Sequence, residues 1–395
     1  MEAYLLDWLS LLLRWAHLVV GIAWIGASLY FIWLDNSLET PRRAEDRDRG
    51  VAGELWAVHG GGFYHAQKYR LSPPTLPERL HWFKWEAYWT WITGFALLVL
   101  IYYVKAETYL VDPAVMALSN AQAIGIGLAS LIVGLAVYEG LCRSPLGRND
   151  AALAGVLFLL LAAAAWGLTL VFSGRGAYIH YGAILGTIMV GNVANVIIPG
   201  QRELVRAKQE GREPDPRHAI AGKQRSVHNT YFTLPVLFVM ISGHYAMTFG
   251  SRWNGLVLVA LTVSGALIRV WFVMRHKGGA PAWPLVAGIV ILLAVAALLA
   301  PRSSGAGAAV KYAEVQRVME LRCVSCHAAN PSFQGMAKPP KGVVLDTPER
   351  VRVQAAMIYQ QTVLSKAMPP GNLTGITDEE RALLDRWVRG GAKAD

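Results

Sequence analysis

The sequence is poor in charge. Asp, Glu, Lys and Arg make up 16% of the 395 residues, against 54% hydrophobic. Soluble domains carry about 25% charged residues, so a single water-soluble globular fold is disfavoured. Cysteine is scarce as well. Three are present, too few for a disulfide framework, and Cys142 stands alone as a plain thiol. The first apolar block lacks a basic leader and a small-residue cleavage site, and reads as a retained helix. No G-x-G-x-x-G follows a predicted strand, which disfavours a Rossmann flavin or nicotinamide site. H-E-x-x-H and G-x-S-x-G are missing too, so hydrolysis is disfavoured.

The apolar residues lie in long blocks. A bilayer core about 30 Å thick needs about 20 residues of helix. Eight spans are expected, near 8–34, 85–104, 119–141, 151–173, 178–199, 228–249, 254–274 and 283–301. The net charge of +10 would suit a nucleic-acid binder. Its carriers, however, sit between apolar blocks, so the expected partner is the lipid bilayer and no nucleic acid. Segments 35–84, 142–150, 200–226 and 275–282 are basic, and the alternate connections hold only Lys105, Arg175 and Arg252. The positive-inside rule puts the basic loops in the cytoplasm and both termini in the periplasm of an inner-membrane, multi-pass protein.

The 35–84 loop is long enough to have a role of its own. It carries His59-Gly60-Gly61-Gly62-Phe63-Tyr64-His65 and precedes Trp82, Trp85, Trp89 and Trp91, which suit a membrane-interface belt. Ionisable groups inside spans are costly and mark function. Arg14, His17, His180 and His244 fall nearer the periplasm; Glu86, Glu139, Asn192, Asn195, His228 and Arg269 fall nearer the cytoplasm. His17, His180 and His244 are candidates to hold a haem b between helices, against the alternative of interhelical hydrogen bonding.

Residues 302–310 read as a short linker, and the character of the chain turns soluble beyond it. Cys323-Val324-Ser325-Cys326-His327 is a C-x-x-C-H run, the attachment motif of a covalent haem c. His327 would be one axial ligand. Met368, in a Pro-rich loop, is the preferred second ligand over Met336 and Met357. Tyr312–Leu321 and a capped helix from Thr377 to Arg389 flank these elements, in the order of a class I cytochrome c. The fold class expected is therefore all-α: an eight-helix transmembrane domain at 1–301, the linker, and a cytochrome c domain at 311–395.

Four blocks stand together: Arg14-Trp15-Ala16-His17 through Trp24-Ile25-Gly26, the His59–His65 run, Trp82-Phe83-Lys84-Trp85-Glu86, and Gly191-Asn192-Val193-Ala194-Asn195 through Pro199. With the C-terminal motif, the whole chain resembles the bacterial membrane-bound, cytochrome c-containing urate oxidases, or urate hydroxylases. The resemblance implies conversion of urate to 5-hydroxyisourate without hydrogen peroxide. Water would supply the oxygen, and electrons would pass to cytochrome c and on to a respiratory-chain cytochrome c or oxidase. Among site residues it carries over Cys323, Cys326, His327 and Met368 alone.

Urate is a planar anion rich in donors and acceptors, which calls for a cation, amides, an aromatic face and a base. By residue type and depth, Arg269, His228, Glu86, Asn192, Asn195, His59, His65 and Tyr64 are the candidate pocket. Two other readings compete: a quinol- or respiratory-chain electron-transfer protein with a tethered haem c, and a transporter with an appended redox sensor. The latter would want broken helices at matched positions. Pro235 in the sixth span has no partner in the second.

Overall fold

A computed structural model describes residues 2–279, 281–300, 310–334, 336–364 and 366–393. The expected linker lies almost wholly outside them. The chain is mostly helical, and every expected span is occupied by a helix: α1 (Glu2–Ser37), α2 (Trp85–Leu98), α3 (Asn120–Arg143), α4 (Asp150–Thr169), α5 (Gly174–Asn192), α6 (Pro216–Ser242), α7 (Asn254–His276) and α8 (Trp283–Leu299). Among the described residues five stretches are long and apolar enough to cross a membrane: Tyr4–Ser37, Asn120–Arg143, Asp150–Thr169, Gly174–Gln209 and Asn254–His276. The positions of α2, α6 and α8 are helical but do not pass that test by length and composition.

The outer faces are apolar. Ile22, Ile132, Leu159 and Leu293 are all more than 60% exposed, an arrangement that water penalises and hydrocarbon does not. The interior is built around α5, which packs on α3 and α6 and buries Tyr178, Tyr181, Ile184 and Leu185.

Three boundaries differ from expectation. The helix expected at 178–199 runs on: a π-helical stretch, Val193–Ile197, joins α5 to a polar helix, Ile198–Gln209. The helix expected at 228–249 starts twelve residues earlier, at Pro216, where Asp215 caps it and proline takes the first turn. Segment 35–84 departs from the all-α expectation. It forms a two-stranded antiparallel hairpin, β1 (Val51–His59) with β2 (Gly62–Tyr69). Gly60 and Gly61 both have positive φ, +56° and +81°, as a tight hairpin turn requires. Glu54, buried, accepts from the Arg42 amide at 2.9 Å and pairs with His65 at 2.9 Å. Lys68 and Lys223 both pair with Asp35, tying the hairpin base to α1 and α6.

The C-terminal unit has its own core. α9 (Tyr312–Arg322) and α10 (Asp378–Arg389) bring together Tyr312, Val315, Met319, Leu384 and Trp387. The expected capping box of α10 is present: Thr377 accepts from the Glu380 amide, and Glu380 accepts from the Thr377 amide. Arg322 grips both oxygens of Glu380 and donates to the Thr374 carbonyl at 2.5 Å, fixing α9 against the start of α10.

Candidate functional site

Two clusters carry chemistry. The first lies at the basic end of the bundle, where α3, α5 and α6 meet. Starting α6 at Pro216 puts Arg225, His228, Asn229 and Phe232 on one face, at i, i+3, i+4 and i+7. Asn192, fully buried at the end of α5, donates to Tyr138 Oη (2.9 Å) and to Asn229 Oδ1 (2.8 Å). Asn229 in turn donates to the Met189 carbonyl at 3.0 Å. The Tyr138 phenol meets His228 Nδ1 at 2.7 Å. With Asn192 donating to it, that phenol is free to donate its own proton to the imidazole.

Arg225 completes the network. It is 3% exposed. Its guanidinium lies 5.0 Å from the Tyr138 ring centroid, donates to Asn192 Oδ1 at 3.4 Å and pairs with Glu139 at 3.0 Å. Glu139 is also held by Arg143 at 2.6 Å. Arg225 and Glu139 line a cavity of about 540 Å³ with Asn195, Cys142 and His218, within the range that takes a small planar ligand. The π-helical stretch after Asn192 turns Asn195 to this cavity while Asn192 stays in the network; such bulges recur at functional sites.

Of the expected pocket, then, Asn192 and His228 meet through Tyr138, and Asn195 lines the adjoining cavity beside Arg225. Arg225 and Tyr138 were not singled out from sequence. Arg225 counted as a basic loop residue, although the Asp215-Pro216 helix start would have moved it onto α6. Arg269 is buried on α7, with no hydrogen-bond partner for Nε or Nη2, within electrostatic reach of Tyr231 on α6. Glu86, in the first turn of α2, has a buried Oε2 without a partner. Neither has a hydrogen bond or ion pair to the network among the described residues. His59, Tyr64 and His65 sit on the hairpin. His65 is engaged there by Glu54 and stacks on Trp56 with ring centroids 4.2 Å apart, and His59 and Tyr64 are exposed.

The histidines considered for a haem b are not gathered. His17 meets Thr93 of α2 at 3.0 Å. His180 is fully buried, bonded through Nδ1 to the Gly176 carbonyl (2.8 Å) and through Nε2 to Tyr103 Oη (3.1 Å). Gly127 closes over that nitrogen so tightly that a Cβ there would lie 2.6 Å from it. His244 is exposed in the turn after α6. These placements do not fit a haem between them. His17 and His180 instead hydrogen-bond to side chains of neighbouring segments, Thr93 and Tyr103.

The second cluster is the C-terminal unit. Cys323 ends α9, and Val324–His327 forms one helical turn. Cys323 and Cys326 are free thiols. Burial pushes the Cys323 thiol up to about 12, unlike the low-pKa thiolate of a disulfide exchanger. His327 Nδ1 bonds the Val343 carbonyl at 2.9 Å. That contact fixes the ring and leaves Nε2 as the nitrogen that could take a ligand. Met368 lies in the loop before α10, its amide donating to Gln361 (3.0 Å) and its carbonyl accepting from Arg381 (3.0 Å). The donor set therefore fits a haem c: Cys323 and Cys326 for attachment, His327 and Met368 for iron.

The model of the urate oxidase N-terminal family matches residues 3–300. The chain belongs to that family. Its first 300 residues are thus the domain of a urate-related oxidoreductase family, and the polar network lies inside it. No curated protein matches the chain, and no solved structure does.

Proposed function

We propose that this chain is a membrane-bound urate oxidase that forms 5-hydroxyisourate and delivers the electrons to a haem c held by its own C-terminal unit, with no hydrogen peroxide formed. One observation carries the reading: a urate oxidase family domain is joined in one chain to a C-x-x-C-H unit whose histidine is already oriented by a carbonyl. Bound haem c would supply a one-electron acceptor. In this reading the polar network faces the cytoplasm and the C-terminal unit the periplasm, and the alternation of basic and neutral loops supports that orientation.

The half-reaction is urate monoanion plus water giving 5-hydroxyisourate, two electrons and one proton. Urate binds in the cavity at the basic end. Arg225, locked between Glu139 and the Tyr138 ring, presents a fixed cationic face to the anion. Asn195 offers an amide edge from the cavity wall. Behind Arg225 the Tyr138–His228 pair takes up the proton as a relay: the phenol passes its own proton to Nδ1 as its oxygen accepts the one released from the site. A second reading places the anion at Arg269, because its buried N–H groups lack partners.

The test is product analysis in isotopically labelled water. Label in 5-hydroxyisourate with no peroxide supports the reaction. Peroxide formed in step with urate loss would show that oxygen, not the C-terminal unit, takes the electrons. Comparing Arg225→Ala with Arg269→Ala separates the two anion sites.

A further inference from the structure

Gln224 stands one turn before His228 on α6. A helical side chain leans back over the turn that precedes it, so the His228 ring lies on the Gln224 side of the helix. Gln224 spends its amide hydrogens there. Its Nε2 donates to Asp150 Oδ1 at 2.9 Å and to the Gly147 carbonyl at 2.8 Å. Asp150 opens α4, directly after the cap Asn149, and is exposed at the basic end of the bundle. The two bonds from Gln224 tie the start of α4 to α6 beside the ring, and Asp150 is within electrostatic reach of His228.

A proton relay through Tyr138 to His228 makes an imidazolium, and that charge needs a partner. Two charged groups are within electrostatic reach of the ring: Arg225, on its own helix, and Asp150. Arg225 opposes a second cation. On α3, the Tyr138 phenol is neutral and Glu139 is already engaged by Arg225 and Arg143, at 3.0 and 2.6 Å. From α5 the network receives the uncharged Asn192 amide. Arg269 of α7 lies by Tyr231. Asp150 is held by Gln224, and among the described residues no Lys or Arg pairs with it. Its negative charge is the one left to serve the ring.

We propose that Asp150, aimed by Gln224, is a positioning residue for the urate reaction: its carboxylate is the counter-charge that holds the imidazolium formed when the Tyr138–His228 pair takes up the proton. The inference rests on the proposed urate reaction. In the step concerned, the Tyr138 O–H bond breaks and an N–H bond forms at His228 Nδ1, while the phenol oxygen accepts the proton released from the site. No electron moves. After the product leaves, the proton returns through the phenol to water in the open cavity, and the pair is reset. Asp150 stays ionised throughout and acts through His228, not on urate.

A double-substitution cycle in the full-length protein tests this. Asp150→Asn keeps an oxygen for Gln224 and removes the charge; Asp150→Glu keeps the charge. Anaerobic reduction of the haem is followed against urate concentration in both, in His228→Gln, and in Asp150→Asn combined with His228→Gln. Asp150→Asn should lower the limiting rate roughly tenfold, the equivalent of one unit in the proton affinity of the ring. The half-saturating urate concentration and the unfolding temperature should stay at the parental values, and Asp150→Glu should restore most of the rate. Added salt should narrow the gap between Asp150→Asn and the parent, because Asp150 is exposed. In the His228→Gln background, Asp150→Asn should cost nothing further. A parental rate in Asp150→Asn would overturn the proposal, as would the same loss with and without His228. If the parent chain is not reduced by urate, the urate reading fails instead. A histidine ¹⁵N NMR titration, with the His228 signal assigned by its loss in His228→Gln, needs no urate and still decides the contact. A midpoint displaced by about one unit in Asp150→Asn supports it; the same midpoint in both proteins refutes it.

Discussion

Replacing Arg225 by Ala separates its two roles. The structure gives it three attachments: Glu139 at 3.0 Å, Asn192 Oδ1 at 3.4 Å and the face of Tyr138 at 5.0 Å. The fold loses little of its charge balance, because Glu139 keeps Arg143 at 2.6 Å. The expected stability cost is therefore about 1–2 kcal/mol, below the ~3–5 kcal/mol of a buried ion left wholly unpaired. The urate anion, by contrast, loses a charge-assisted donor worth about 1.5–3 kcal/mol. That is about 10- to 150-fold in kcat/KM. Glu139→Ala should show the opposite pattern, since it strands the Arg225 guanidinium in the bundle and costs the fold more than Arg225→Ala does. The assay is anaerobic reduction of the haem against urate concentration, beside thermal unfolding in the same detergent. A folded Arg225→Ala protein with parental kcat/KM would refute the assignment and favour Arg269.

Other expectations follow from single contacts. Gly127→Ala drives a methyl to 2.6 Å from His180 Nε2 and 2.9 Å from Tyr103 Oη; overpacking of this kind costs about 1–3 kcal/mol, seen as a lower unfolding temperature, and an unchanged one would contradict the packing of α3 on α5. The Arg217 side chain holds the Asp215 carboxyl, which caps α6, down to about 2. Its stabilisation is then complete above the ordinary value of 3.8 and lost as pH falls towards about 2. The stability gap between the parent and Asp215→Asn should close over that window, and a gap that ignores pH would contradict it. Met368→Ala should keep the covalent haem but lower its potential in a redox titration, since a thioether ligand raises it, whereas Cys323→Ala should lose one of the two thioether links by mass.

The sequence shows the helices because apolar runs of span length have few other uses. It shows the C-terminal unit because C-x-x-C-H, the Met368 loop and the Thr377–Glu380 box are all local signals. The hairpin was hidden in a glycine-rich run whose histidines drew attention to chemistry. Gly60 and Gly61 serve the turn, and His65 serves Glu54. Arg225 was hidden for a different reason. A basic residue beside a span has an adequate explanation in topology, and its network depends on where α6 begins. The stretches that hold His17 and His180 were legible as helices, but the neighbour each one faces was not. Direction around the helix axis decides that, and it comes from packing that no single span encodes.

Anaerobic mixing of the purified, oxidised protein with urate, followed at the haem c α-band, tests the central claim most directly. The account predicts that urate alone reduces the band and that 5-hydroxyisourate appears with it, one molecule for every two electrons. A band that stays oxidised with urate and is reduced by a quinol would contradict it, and would make the chain a respiratory electron-transfer protein.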